Sequence, residues 1–291
     1  MALIEIVIPC YNYGHYLPEC IASIAGQSVR DWRAVIIDDA SPDGSAAAAH
    51  RLAAQDSRIA VIAHERNRGH IATYNEGIAQ ATGEFFLLLS ADDMLAPGAL
   101  ERAASCLRRH PGVTLTWGGS MDFTDAPPSL PAAESSWKVQ PGAGLIAALC
   151  ARAVDFVPTP SVILRTAAQR QAGPYRAALP HSGDLEMWLR VATLGDVAET
   201  AAVQSLKRVH GRNMSLTDPN VILRDYEQRR AAYASFFAGA GRTMDHGLRL
   251  HRLARRRLAL RACRTGLAQA ARGHRGTAAA LLRFAGRVAS A

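Results

Sequence analysis

Two apolar runs in this chain end in paired aspartates, and that combination limits the fold more than any other feature. "EFFLLLSADD" (84–93) places five apolar residues, Phe85 to Leu89, just before Asp92 and Asp93. "AVIIDD" (34–39) repeats the arrangement before Asp38 and Asp39. A continuous apolar run of this kind fits a strand buried on both faces, as in the middle of a parallel sheet. The carboxyl ends of such strands are where open α/β sheets bind ligands. Adjacent like charges at that edge repel unless water or a cation lies beside them.

The rest of the pattern agrees with such a sheet. "LIEIVIPC", closed by Pro9, predicts a first strand. Pro18 suits a first helical position, and Ile21 and Ile24 follow at helical spacing. A helix over about 44–55, a strand at "IAVIA" and a helix through "IATYNEGIAQA" lead to the strand "EFFLLL". A helix near 97–110 and a strand at "VTLTW" come next, then a proline-rich stretch, 124–141, that reads as a loop. A helix at "GLIAALCA", a strand near "SVILR", a helix at "DLEMWLRVATLG" and a strand at "VAETAAV" follow. Strands alternating with helices argue βαβ units. From 220 to 291 the chain is helical in character, broken at Gly239–Gly241 and at "RGHRG".

A chain of 291 residues accommodates one α/β domain with an appendage. The expected division is 1–215 for the α/β domain and 216–291 for a helical, Arg-rich extension. The N-terminal stretch lacks the basic start and the long apolar run of a secretory signal, and no window supplies an apolar membrane span. Cys10, Cys20, Cys106, Cys150 and Cys263 are odd in number and far apart. That fits neither a disulfide framework nor a zinc site, so buried thiols and a cytoplasmic location are expected. The formal charge of +8 is concentrated in the tail, where residues 246–291 hold 11 Arg and no Asp, Glu or Lys.

Taken singly, each aspartate pair reads equally well as a helix-capping loop, since "DDASPDGS" is rich in turn and cap residues. Converging on one sheet edge beside the loop "YNYGH", the two pairs are better explained by a nucleotide site. The Gly-rich signatures of dinucleotide-binding and P-loop proteins are absent, which weakens both of those readings. A bound diphosphate would then need another source of positive charge. A divalent cation held by Asp92 and Asp93 is the natural candidate, and hard oxygen ligands favour Mg²⁺ or Mn²⁺ over zinc.

Together, "VIPCYNYGHYLPECIASIAGQS", "AVIIDDASPDGS", "NRGHIATYNEGIAQATGEFFLLLSADD" and "GDLEMWLR" resemble the family-2 glycosyltransferases of the GT-A fold. The motifs follow the family's order and approximate spacing over about residues 3–215. The resemblance implies an α/β, Rossmann-like, mostly parallel sheet flanked by helices. It also implies an inverting enzyme that moves a sugar from a nucleotide-diphospho sugar, UDP by family habit, to an acceptor hydroxyl, with Mn²⁺ or Mg²⁺ as cofactor. The acceptor is unassigned among glycans, lipid-linked sugars, proteins and small molecules.

Carried over position by position, Pro9, Cys10, Tyr11 and Asn12 would line the base and ribose. Asp39 would accept a hydrogen bond from the ring amide of the base, with Asp38 supporting the turn. Ser90, Ala91, Asp92 and Asp93 stand where the family has its Asp-x-Asp motif: Asp92 would touch ribose or metal, and Asp93 would hold the metal. Ser90 replaces the first acidic position of the commoner form. Asp184 matches the family's catalytic base, with Gly183 where a Glu is usual. An Asp at that point also suits a helix cap, and Glu186 is the next candidate base. His210 occupies the position of a histidine that reaches the metal or the diphosphate. Arg212 and Arg68 are further phosphate-side candidates, whereas His70 and His181 have no assigned role. Trp117, Trp137 and Trp188 are explained by core packing at least as well as by sugar stacking.

Two rivals remain at this point. A non-catalytic GT-A-shaped scaffold is suggested only by Ser90 and Gly183. A nucleotidyltransferase would need a Gly-rich basic loop, which "PCYNYGHY" is not. In the tail, Leu253, Leu260 and Leu267 recur every seven residues, a stripe expected to pack inward while the arginines stay exposed. Such a surface is either a solvated basic face or a peripheral contact with an anionic membrane, on the inner face for a cytoplasmic protein. Nucleic acid is the weaker partner, because no reading module accompanies the charge.

Overall fold

The computed structural model describes residues 3–130, 136–211, 213 and 221–290. Its first half alternates as expected: β1 (Ile4–Cys10), α1 (Leu17–Ala25), β2 (Trp32–Asp38), α2 (Ser45–Gln55), β3 (Ile59–Ala63), α3 (His70–Gln80) and β4 (Phe85–Leu88). β1 pairs in parallel with β2 and with β4, and β2 with β3. After β5 (Met94–Leu95) come α4 (Ala99–Arg109), β6 (Val113–Phe123), β7 (Lys138–Pro141), α5 (Gly142–Arg152) and β8 (Ile163–Arg165). α6 (Thr166–Ala172), α7 (Gly183–Val191), β9 (Asp196–Arg208), α8 (Val221–Ala238), α9 (Gly247–Ala271) and α10 (Arg275–Ser290) complete the chain.

The strand order is β3-β2-β1-β4-β8-β6-β9-β5, with β7 beside β9. β6 and β9 are parallel, β8 is antiparallel to both of its neighbours, and β5 is antiparallel to β9. The sheet is therefore a mixed α/β sheet flanked by helices. β7 corrects the expectation of an unbroken loop over 124–141, because its end joins the sheet edge at β9.

The chain divides into two compact units. The first comprises Met1–Gln140, Val157–Ala177 and Leu194–Val209, and the second Pro141–Phe156, Ala178–Thr193 and His210–Ala291. α5 and α7 thus belong with the C-terminal helices. In the first unit Ile4, Ile6, Ile8, Trp32, Phe85 and Leu87 form a buried core. α3 crosses β1 closely at Gly77, where an added Cβ would lie 2.3 Å from a methyl of Val7.

In the second unit Tyr226, Leu258, Ala259, Ala262, Leu281 and Phe284 make the core. The tail corrects the leucine-stripe expectation. Leu260 and Leu267 are 53% and 59% exposed, and α9 buries Ala254, Leu258, Ala259, Ala262 and Gly266 instead. Small residues win that face because they let α10 approach: a Cβ on Gly266 would meet Leu282 at 3.2 Å.

Candidate active site

Parallel pairing of β1, β2 and β4 brings the loops after them to one edge of the first unit. The ladder runs past the strand ends, with Leu89 N–H donating to Val7 O at 3.0 Å, Ala91 N–H to Pro9 O at 3.2 Å and Asp39 N–H to Cys10 O at 2.9 Å. Pro9, Cys10, Tyr11, Asn12, Asp38, Asp39, Ser90, Ala91, Asp92 and Asp93 therefore share that edge. Asn12 and Ala40 adopt left-handed backbone, φ 61° and 58°. Asn tolerates this conformation; Ala does not favour it, so the surrounding bonds hold it there.

Those bonds are specific. Asn12 N–H donates to Ser41 Oγ at 2.9 Å, and Ser41 N–H donates to Asp38 Oδ2 at 3.1 Å. Asn12 Oδ1 and Asp38 Oδ1 are buried with no hydrogen-bond partner among the described residues. Each such acceptor costs about 1–3 kcal/mol, a penalty that a ligand's N–H or O–H would remove. Burial pushes the Cys10 thiol up to about 12, so it serves as a small apolar wall and not as a nucleophile. Tyr11 stands out of the loop, 44% exposed.

Asp39 is more heavily engaged. Its Oδ1 accepts from Arg68 N–H at 2.8 Å and lies 2.7 Å from His64 Nδ1, while Oδ2 accepts from Gly69 N–H at 2.8 Å. The Arg68 guanidinium is not directed at Asp39; it pairs with Glu76 of α3 at 2.5 Å.

Asp92 and Asp93 are both buried. The turn that carries them is closed by Asp93 N–H to Ser90 O at 3.0 Å, with Cys20 Sγ 3.8 Å from the same oxygen. Burial, then the Asp92 charge, pushes the Asp93 carboxyl up to about 8. Arg208, at the end of β9, was missed by sequence reasoning. Its backbone N–H donates to Asp93 Oδ1 at 3.1 Å and its Nε to the Asp92 carbonyl at 3.3 Å, and its guanidinium pairs with Glu19. The same guanidinium lies 4.6 Å from the Tyr16 ring centre and 4.5 Å from that of Phe123. Strand alternation was the available signal, since Leu206 and Arg208 are both buried around exposed Lys207. Arg208→Ala is expected to lower stability by roughly 2–3 kcal/mol, read from the urea midpoint at unchanged slope. Arg208→Lys should recover only part of that loss, because an ammonium cannot reproduce the planar, stacked fork.

Among the described residues no three His, Cys, Asp or Glu side chains form a ready metal cluster. The aspartate pair nonetheless fits a divalent cation in donor chemistry. Two hard carboxylates are buried together, and one holds a proton that a cation would replace.

In the second unit Asp184 is half-buried in the first turn of α7, and Ser182 precedes that helix without a side-chain capping bond. Glu186 is fully buried and bonded to Arg190 at 2.7 and 2.8 Å, which corrects its standing as an alternative base: its carboxylate is engaged in an internal ion pair. His210 is half-buried, its N–H donating to Asn213 Oδ1 at 2.6 Å. Arg212 lies outside the described residues. Trp117 and Trp188 are core residues, and Trp137 packs partly buried against the first unit's core.

A hollow of about 520 Å³ lined by Leu3, Gly83, Arg165 and Arg170 lies at the opposite, amino-terminal ends of β1 and β4. Its Arg165 and Arg170 donate to backbone carbonyls of Val113, Leu107 and Ala81, so they act as struts and not as ligand contacts.

Comparison with known proteins matches residues 5–169 to the model of glycosyl transferase family 2. The putative glycosyltransferase EpsE of Bacillus subtilis is 27% identical over 197 residues, covering 64% of this chain and 66% of EpsE. Glycosyltransferase GlyG of Streptococcus pneumoniae is 33% identical over 99 residues, covering 34% of this chain and 33% of GlyG. The chain thus spans about a third to two-thirds of these relatives' lengths. S. aureus TarS 1–349 in complex with UDP-GlcNAc superposes with a TM-score of 0.66 at 17% identity, covering 88% of this chain and 71% of TarS. Mannosyltransferase PcManGT from Pyrobaculum calidifontis, in complex with GDP-Man and Mn²⁺, gives 0.61 at 19% identity, covering 100% of this chain and 81% of PcManGT. These likenesses share the GT-A fold, and with more than half of its residues matched by the family model, the chain belongs to glycosyl transferase family 2.

Proposed function

We propose that the protein is an inverting glycosyltransferase that moves a sugar from a nucleotide-diphospho sugar, preferentially a UDP-sugar, to an acceptor hydroxyl. One observation carries this reading: a buried aspartate pair shares a sheet edge with two buried acceptors that lack partners among the described residues. Asn12 and Asp38 would meet polar hydrogens of the nucleoside, and Asp39 the ring amide of its base. Asp92 and Asp93 would hold Mn²⁺ or Mg²⁺, which when bound supplies positive charge to the leaving diphosphate. Asp184 takes the acceptor hydroxyl's proton, and inversion follows from direct displacement, without a covalent sugar–enzyme intermediate. His210 is assigned to the metal or diphosphate side, and Arg68 to the donor side. Hydrolysis of a panel of nucleotide sugars tests the reading without knowledge of the acceptor. Slow hydrolysis of one sugar class, dependent on Mn²⁺ or Mg²⁺ and stopped by EDTA, is expected. Inertness toward the whole panel would favour a binding role for the fold.

The tail is assigned to an anionic membrane surface. No helix among the described residues is long and apolar enough to cross a membrane. On α9, however, Leu260 and Leu267 are exposed beside exposed Arg249, Arg256 and Arg264. At about 100° per residue these five fall within an arc of about 80°. Leucines among arginines suit the boundary of an anionic bilayer, where each basic side chain adds about 1 kcal/mol, whereas nucleic acid gains nothing from the leucines. Cutting the chain before α9 would strip Leu258, Ala262, Leu281 and Phe284 from the core, so substitutions make the better test. Pelleting with phosphatidylserine vesicles is expected at low salt, to weaken at high salt, and to be lost in the Arg249, Arg256, Arg264→Glu triple variant. Equal pelleting by the variant, or indifference to salt, would rule the contact out.

A further inference from the structure

His64, just beyond β3, appears in no motif of the sequence, yet it is the most tightly bracketed histidine of the first unit. Its side chain is only 4% exposed. Nδ1 lies 2.7 Å from Asp39 Oδ1, and Nε2 lies 3.1 Å from Glu76 Oε2. Nδ1 carries the hydrogen shared with the Asp39 carboxylate, and the Arg68 guanidinium, held by Glu76 at 2.5 Å, lies 3.4 Å from Nε2 on the other side of the ring.

We propose that His64 is a positioning residue for donor recognition: bridging Asp39 and Glu76, it fixes the Asp39 carboxylate that reads the base. The proposal rests on the assignment of Asp39 to the nucleotide base and deepens it. With the His64, Arg68 and Gly69 hydrogens on it, Asp39 keeps one lone-pair direction for the N–H that uracil and guanine both present. The charged groups facing the ring are Asp39 from the β2 loop, Glu76 from α3 and Arg68 from the loop before α3.

Binding of free uridine and guanosine, followed by NMR titration in EDTA, isolates this edge from any cation and from Asp93. His64→Leu should bind the preferred nucleoside about tenfold more weakly, and His64→Asn, which restores a side-chain N–H toward Asp39, should recover most of that loss. Glu76→Gln, which leaves the Nδ1 contact intact, should weaken binding by roughly two- to threefold and serves should the His64 variants fail to fold. Asp39→Asn should lose binding. Wild-type affinity in both His64→Leu and Glu76→Gln, with binding still lost in Asp39→Asn, would overturn the bridge and leave the nucleotide reading standing. Undiminished binding by Asp39→Asn would overturn the assignment of Asp39 and the bridge with it.

Discussion

Asp184→Asn is expected to lower sugar transfer by roughly 10²–10⁴-fold while donor affinity and melting temperature stay at wild-type values. The size follows from the role. Displacement at the anomeric carbon leaves a proton on the acceptor oxygen, and an amide in place of the carboxylate cannot take it. The position is suited to the task, since a half-buried carboxylate in the first turn of α7 sits at the favourable end of the helix dipole. The helix-dipole contribution of a carboxylate there is worth about 0.3–1 kcal/mol, small beside the expected loss of transfer. Glu186, two residues on, is the internal control. Its carboxylate is fully buried against Arg190, and Glu186→Gln should lower the melting temperature through the uncompensated arginine. A normal transfer rate in Asp184→Asn would place the base elsewhere, and a fall in melting temperature matching that of Glu186→Gln would make Asp184 structural.

The two carboxylates show how far sequence reaches. Both read as acidic residues in a first helical turn; the i,i+4 spacing of Glu186 and Arg190 was legible, but not that the pair is buried inside the second unit. What was legible was local and periodic. The apolar runs Ile4–Cys10, Trp32–Asp38 and Phe85–Leu88 became parallel strands because nothing but a buried sheet accommodates them. β5 went unread, since two residues carry no period, and β8, legible as a strand near "SVILR", has an antiparallel pairing decided by partners far along the chain. The tail was misread because a heptad of leucines looks like a packing stripe. Close helix approach at Gly266 instead chose the small residues, and the leucines were left outside. At the site, the aspartate pairs were visible as motifs. Arg208 and His64 were not, because their meaning lies in partners 189 and 25 residues away.

Asp93→Asn should abolish cation-dependent donor binding and at the same time stabilise the ligand-free protein at alkaline pH. In the unfolded chain Asp93 releases its proton near 3.8; in the folded protein, burial and Asp92 hold that proton to about 8. Between those values the folded state binds more protons than the unfolded one, so this group makes stability fall as pH rises from about 4 to about 8. An asparagine keeps an oxygen for the Arg208 N–H and carries no charge, so the variant should melt with wild type at pH 4 and above it at pH 8.5, by on the order of 2 kcal/mol. In the proposed function, a divalent cation held by Asp92 and Asp93 would take the place of that proton and balance both carboxylates. Calorimetry of UDP with Mn²⁺ at pH 7, repeated in two buffers of different ionisation heat, should show about one proton released by the wild type. The variant should release none and bind at least about 10²-fold more weakly, close to the wild type in EDTA. Equal affinity in EDTA and in Asp93→Asn to that of the metal-loaded wild type would remove the cation from this site. A variant no more stable than wild type at pH 8.5 would show that the Asp93 proton is already lost at neutral pH.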